Sequence, residues 1–82
     1  MNTDKLKDLA MNDNGFVFDP GSGSSYTVNE TGLKILKYLS QGLGKSEIRT
    51  KILDEYEISE DHFNSDFEHY VLMLESLDLI DF

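Results

Sequence analysis

Three side chains near the start of the last predicted helix have the types and spacing of metal ligands. His62, Asp66 and His69 are spaced at i, i+4 and i+7, which places them along one flank of a helix. Two imidazoles and a carboxylate form a common zinc ligand set. Histidines on an exposed, acidic helix are more often solvated, however, and we expect no metal. The sequence contains no cysteine, which removes thiolate ligands, disulfides and a cysteine nucleophile.

Two loops contain residues typical of ion binding but lack the spacing that such sites need. The turn at residues 12–15 is similar to the start of a calcium loop. With Gly15 as the loop glycine, however, Ala10 and Gly21 would occupy the first and last ligand positions. The Gly/Ser segment at residues 19–24 has neither the lysine nor the spacing of a phosphate-binding loop. Both segments are interpreted as turns.

The sequence does not indicate a catalytic role. No serine or threonine has a recognisable base partner, and three short helices with a hairpin hardly enclose a pocket that shifts a pKa. The segment Leu74–Asp78 resembles the phosphopantetheine serine motif of carrier proteins, but Ser76 lies too near the end of the sequence for the helices that follow this motif in those proteins. We predict a protein that is not an enzyme and needs no cofactor.

Length and charge narrow the class of partner. The 82 residues form one domain, residues 1–82, with a net charge of -9. Nucleic acids and anionic membrane surfaces would repel it, so we expect neither as a partner. The N-terminal residues lack a signal-peptide pattern, and the longest apolar run, Val71–Leu74, is too short to cross a bilayer. We therefore expect a cytoplasmic protein. Residues 1–5 are polar, and we expect them to be disordered.

The hydrophobic period changes within residues 26–39. Tyr26 and Val28 alternate with a polar residue, as in a strand, whereas the apolar positions after Asn29 follow a helical period. Asn29 suits a helix N-cap because its side-chain oxygen can accept a hydrogen bond from an amide of the first turn. A strand therefore runs directly into a helix.

The order of these patterns predicts an α+β domain. Phe16 to Val28 forms a β-hairpin, and the apolar residues before it allow either a first strand or a helical turn: Leu6, Leu9 and Met11. Three helices follow, over residues 29–40, 45–57 and 59–78. Residues 79–82 form a short extended tail whose apolar side chains cover the core. We predict a small winged-helix-like domain, with an N-terminal hairpin or three-stranded sheet followed by three helices.

An ordered set of residues extends from Phe16 to Ile80. Its members are Phe18, Asp19, Pro20, Gly23, Tyr26, Val28, Asn29, Glu30, Thr31, Gly32, Ile35, Leu36, Leu39, Gly42, Glu47, Ile48, Leu53, Tyr56, Asp66, Phe67, Tyr70, Val71, Leu74, Leu79 and Ile80. At these spacings the set resembles the PqqD-like family, small peptide chaperones also described as RiPP recognition elements. One departure is Asp78, where the family usually has a glycine before the final leucine.

The resemblance implies a binding role. Such domains hold the leader segment of a ribosomally made precursor peptide and present it to a modifying enzyme, often a radical SAM enzyme. The peptide docks as an added strand on the hairpin edge and lies against the third helix, a mode that a free strand edge also favours on physical grounds. The implied receiving strand is Ser25, Tyr26, Thr27 and Val28. The implied helical wall is Asp66, His69, Tyr70 and Met73, although Tyr70 fits a core position equally well.

The alternative, from another class, is a winged-helix protein-interaction or DNA-binding regulator. A DNA-recognition helix is usually basic, and the third predicted helix, 59–78, contains no lysine or arginine. The peptide-binding interpretation is therefore preferred. We expect a monomer or weak dimer.

Overall fold

The computed structural model of the chain describes residues 3–80, so the expectations for Met1, Asn2, Asp81 and Phe82 lie outside it. Three strands and three helices follow a short 3₁₀ helix, Asp4–Asp8. The strands are β1 (Ala10–Met11), β2 (Phe16–Asp19) and β3 (Ser24–Thr27), and the helices are α1 (Glu30–Ser40), α2 (Lys45–Glu55) and α3 (Glu60–Ser76). The predicted α+β order, a three-stranded sheet followed by three helices, is confirmed.

The start of the chain contains both of the structures that the sequence left open. Leu6 lies in the 3₁₀ helix with a fully buried side chain, and Met11 lies in β1. Asp4 and Lys5, which we expected in a disordered segment, belong to this helix, and Lys5 Nζ donates to the Asp78 carbonyl at 3.1 Å. Burial of Leu6 stabilises the segment because it removes a large apolar side chain from water.

The three strands form an antiparallel sheet in the order β1-β2-β3. Val17, in the central strand, faces the core and is 1% exposed. β3 begins and ends one residue before the predicted Ser25–Val28. Val28 instead donates its amide to Gly15 O at 2.8 Å, and a side chain at Gly15 would overlap the Val28 carbonyl. The glycine is therefore required for the hairpin to close onto this bond.

The helices begin at the residues that the sequence indicates. Asn29 Oδ1 accepts from the Gly32 amide at 2.7 Å, and Ser59 Oγ accepts from the His62 amide at 3.0 Å. Each side chain satisfies an amide that has no partner within the helix. α2 ends two residues before the predicted boundary, because Tyr56 is already extended.

The core lies between the sheet and the three helices. Its fully buried members include Leu6, Val17, Ile35, Leu36, Leu39, Ile48, Ile52, Phe63 and Leu74. Leu79 and Ile80 follow α3 and are each 5% exposed, so the predicted covering of the core by the tail is confirmed for these two residues. Apolar burial from every element supplies the main stabilisation of so small a domain.

Polar contacts on the surface connect α2 to α1 and α3. Tyr38 Oη donates to Glu55 Oε1 at 2.5 Å, and this hydrogen bond, together with burial, raises the pKa of Tyr38 to about 12. Arg49 Nε donates to Glu60 Oε1 at 2.7 Å and joins α2 to the start of α3. These exposed contacts orient α2, whereas its buried isoleucines provide most of its attachment.

Asp78 has a backbone conformation that normally favours glycine. Its φ angle is 58°, in the left-handed region. The Leu79 amide donates to Leu74 O at 2.9 Å and the Asp78 amide to Glu75 O at 3.0 Å, which is the Schellman arrangement at a helix end. The tail therefore leaves α3 by the turn that a glycine would allow, and Asp78 bears the strain.

We expect Asp78→Gly to stabilise the protein by about 0.5–1 kcal/mol, because glycine adopts positive φ without steric cost. Urea unfolding followed by circular dichroism measures this change. Asp78→Ala is the matched control, since it also removes the charge but keeps a Cβ. An equal gain from Asp78→Ala would assign the effect to charge at the helix end and contradict the backbone explanation.

Candidate functional site

The outer edge of β3 carries backbone groups that the sheet does not use. Hydrogen bonds alternate along an antiparallel ladder. The bonds from Val28 N to Gly15 O and from Asn12 N to Phe16 O, at 2.8 and 3.0 Å, fix the phase of that alternation. Tyr26 therefore bonds to its partner Val17, while the amide and carbonyl groups of Ser25 and Thr27 point away from β2.

The four residues of the predicted receiving strand thus differ in whether their side chains and backbone groups are free to contact another chain. Ser25 and Thr27 expose both their side chains and their outward backbone groups. Tyr26 is partly buried and packs against the core, and the Val28 amide is already bonded to Gly15. The free edge, defined here as the outward backbone groups of Ser25 and Thr27, is accordingly shorter than the predicted strand.

Tyr70 connects α3 to the end of β3. Its hydroxyl donates to Asn29 Oδ1 at 3.0 Å and accepts from the Asn29 amide at 3.3 Å. Its ring packs directly on Gly32 of α1, and the side chain is 7% exposed. Of the two roles that the sequence allowed, the burial of Tyr70 shows the core position, and its part in a peptide-binding wall stays a prediction.

The other three predicted wall residues lie around Tyr70 on α3. Asp66 and Met73 are at positions i−4 and i+3 from Tyr70, so they share its side of the helix. The Asp66 side chain is 23% exposed, with Oδ2 at 3.2 Å from His62 Nε2. Met73 is partly buried and packs against the core. His69 is exposed, and its ring meets the Tyr70 ring edge-on with centroids 5.1 Å apart.

The three candidate metal ligands do not converge. His62 lies against Asp66, whereas His69 packs edge-on against Tyr70. Across residues 3–80 no group of three His, Asp or Glu side chains has the geometry of a metal site. Asp66 Oδ2 is shielded from water and accepts no hydrogen bond within the described residues, and His62 Nε2 lies 3.2 Å from it.

The surface of α3 is acidic. The helix carries Glu60, Asp61, Asp66, Glu68 and Glu75, and the sequence contains no lysine or arginine after Lys51. Groups that approach this helix therefore meet a negative field, which favours positive or neutral ligands over negative ones.

A shallow concavity of about 630 Å³ lies apart from the β3 edge. The turn after β2, residues 19–22, lines it together with Lys5 and the residues that follow α3. It does not include the predicted strand or wall residues. The candidate site is consequently an exposed strand edge whose C-terminal end is linked to α3 through Asn29 and Tyr70, and an exposed edge suits an extended chain rather than a small molecule.

The sequence missed the contact between Asn29 and Tyr70, although it contained one sign of it. A glycine inside a helix costs about 1 kcal/mol relative to alanine, so Gly32 indicates a close approach by another element. The approaching group is the Tyr70 ring: a Cβ built on Gly32 would lie 2.6 Å from Tyr70 Cε2 and Oη. The partner itself could not be read from a pattern because 41 residues separate Asn29 from Tyr70.

Together these features define a small α+β protein whose exposed strand edge lies beside an acidic helix. A family model described as Coenzyme PQQ synthesis protein D (PqqD) matches residues 14–80. The chain therefore belongs to the PqqD family, whose members are small accessory proteins related to PQQ synthesis, and the resemblance inferred from the sequence is confirmed. No curated protein and no solved structure matches the chain.

The helices of the described chain are too short or too polar to span a bilayer. Within residues 3–80, none combines the length and hydropathy of a membrane-crossing segment.

We expect Gly32→Ala to destabilise the protein by about 1–3 kcal/mol, because the new methyl group overlaps the Tyr70 ring. This sign is opposite to the gain that alanine normally gives in a helix. Urea unfolding of Gly32→Ala, Tyr70→Leu and the double variant measures the coupling. If Gly32→Ala costs as much in the Tyr70→Leu background as in the wild type, the close packing is not the cause.

Proposed function

We propose that the chain is a non-catalytic peptide chaperone. It binds the leader segment of a ribosomally made precursor peptide as an added strand on the free edge of β3. It then presents the peptide to a modifying enzyme, such as a radical SAM enzyme, in the cytoplasm. The observation that carries the proposal is the outward orientation of the Ser25 and Thr27 backbone groups on the outer edge of β3, which pairs with no strand of the described chain.

The energetics of an edge strand support this mode. Each outward amide and carbonyl must bond either to water or to an incoming chain, and an extended peptide supplies complementary groups at the same spacing. Main-chain bonds provide affinity with little sequence preference. Ser25 and Thr27 together offer two donors and two acceptors, enough to fix the register of a short strand.

Selectivity would come from α3. A strand added beyond β3 directs alternate side chains toward the helix side of the sheet. There we propose contacts with Met73, His69 and Asp66, of which Met73 offers an adaptable apolar surface and Asp66 a carboxylate. Tyr70 holds α3, and with it the proposed wall, in place through its hydrogen bond to Asn29 and its packing on Gly32.

Presentation of the peptide requires that its modified part remain free. The proposed site is open on its outer side, and the free edge spans only Ser25 to Thr27, so the rest of a precursor would extend beyond the domain. The enzyme partner would act on that extension. This arrangement needs no catalytic group, metal or cofactor from the chain itself.

We expect Thr27→Pro to weaken leader binding at least about tenfold, whereas Thr27→Ala changes it less than about threefold. Proline removes the outward amide and places its ring where the new strand would pair, and one hydrogen bond contributes about 1 kcal/mol. Because this amide faces away from β2, the substitution leaves the sheet's own ladder intact. The measurement is a calorimetric titration with a synthetic peptide that carries the leader segment of the cognate precursor.

Amide shifts in NMR spectra during the same titration give the location. Shifts centred on β3 and the Tyr70 side of α3 are expected. Shifts confined to α2, with Ser25 and Thr27 unchanged, would place the peptide elsewhere and refute strand addition at β3.

We expect Met73→Gln to weaken leader binding several-fold, because it exchanges an apolar contact for a polar one of similar length. Met73 also packs against the core, so a loss of up to about 1 kcal/mol of stability should accompany the change. Leu72→Gln is the matched control: Leu72 is the neighbouring residue, is 64% exposed, and lies about 100° around the helix axis from Met73. An equal loss from both substitutions would show that α3 does not form the wall through Met73.

A further inference from the structure

The outer face of the sheet exposes two large aromatic side chains. Phe16 and Phe18 are 44% and 38% exposed, although both lie in the central strand. They alternate with Val17, which is directed into the core, so both rings lie on the opposite face of the sheet. A central strand usually has its large apolar side chains covered, and these two rings have no such cover in the described chain.

Two short side chains separate these rings from the free edge. Thr27 pairs with Phe16 and Ser25 pairs with Phe18, and paired residues share a face. The outer face of β3 is therefore lined by Ser25 and Thr27, neither of which is long enough to cover a neighbouring phenyl ring. A shallow concavity of about 240 Å³ on the β1 side of the rings leaves them open there as well.

The position of an added strand determines what could fill this space. Neighbouring strands lie about 4.8 Å apart, so a peptide on the β3 edge would lie about 9.6 Å from β2. Two large side chains can meet across that distance when the residue between them is small, because an aromatic ring and a long aliphatic side chain each extend more than half of it when they lean toward one another. Every second residue of the added strand projects onto this same face.

We propose that Phe16 and Phe18 form a second recognition surface for the bound peptide. This inference rests on the proposed strand addition. The ligand is an extended peptide with bulky apolar side chains at positions i and i+2, which lie over Ser25 and Thr27 and contact the two rings. Its intervening residues face α3. Recognition therefore acts on both faces of the added strand.

Charge favours a peptide over a second copy of the chain as the occupant. The outer face consists of uncharged residues, Ala10, Phe16, Phe18, Ser25 and Thr27, so it sets no electrostatic barrier to a short apolar segment. Two copies of the chain, each with a net charge of -9, would repel one another over their whole surfaces. A short segment on the same face carries no such penalty.

A displayed library of random 12-residue peptides, selected on the immobilised full-length chain, tests this inference. Peptides selected on the wild type are expected to carry large apolar residues at i and i+2. Their affinity for Phe16→Thr/Phe18→Thr should fall at least tenfold. Threonine retains strand propensity, and a thermal melt by circular dichroism checks the fold. Ser25→Tyr is a second variant, which keeps the backbone amide but fills the gap, and it should also reduce binding.

The outcomes separate this inference from the function on which it rests. If selected peptides lose affinity for Thr27→Pro but bind Phe16→Thr/Phe18→Thr and Ser25→Tyr normally, strand addition stands and the second surface is refuted. If no enriched peptide depends on Thr27, both proposals fail. If sedimentation shows a wild-type dimer that the double phenylalanine variant abolishes, the rings belong to a self-association interface and the inference is overturned.

Discussion

The hydrogen bonds between Asn29 and Tyr70 hold together the part of the molecule on which the candidate site depends. One oxygen, Asn29 Oδ1, accepts from both the Gly32 amide and the Tyr70 hydroxyl. The first bond starts α1, and the second satisfies a phenol whose ring is buried. A buried hydroxyl without a partner would cost about 1–3 kcal/mol, so the N-cap of one helix also stabilises the packing of another.

The hydrogen bonds between Asn29 and Tyr70 also determine where the strand edge lies relative to α3. β3 ends at Thr27, and Asn29 follows after a single residue, so there is little chain between the edge and the cap to absorb movement. Gly32 allows the Tyr70 ring to approach the α1 backbone, which brings α3 close to the end of β3. The spacing between the edge and the helix is thus set by a buried contact. A peptide that binds both elements meets a surface already in position, which reduces the ordering cost of binding.

Local patterns predicted the elements but not the contacts between them. The change of period at Asn29, the caps at Asn29 and Ser59 and the apolar stripes gave the hairpin and the three helices nearly within their observed bounds. The end of β3 was placed one residue too late because Val28 has strand propensity, whereas the structure ends the strand at Thr27 and the Val28 amide donates to Gly15 O. The sequence left a helical turn and a strand open around Leu6, because burial of Leu6, which orders the 3₁₀ helix, is a tertiary effect that the local pattern does not contain.

Predictions for the site were limited in the same way. The sequence proposed Tyr70 both for the wall and for the core, because an apolar position on a helical stripe has the same signal in either role. Its hydroxyl partner lies in a different element. The free backbone groups of Ser25 and Thr27 could not be predicted from the sequence either. The alternation of ladder bonds depends on the register with β2 and not on residue type. Sequence analysis was sufficient to select Ser25, Thr27 and Tyr70. The register between β2 and β3 was needed to show which residues have free backbone groups.

A strand edge that must remain available to one ligand must also avoid all others. Edge strands commonly cause aggregation because they pair with any exposed strand. In this chain β1 has two residues and β3 four, and the whole molecule carries a net charge of -9. Short edges limit the number of bonds that a second copy could form, and repulsion between two acidic domains opposes their approach. A short, uncharged or basic peptide needs only a few edge bonds and is not repelled by the acidic domain. Under the proposed strand addition, the acidity of the chain would keep this edge unpaired until its ligand binds.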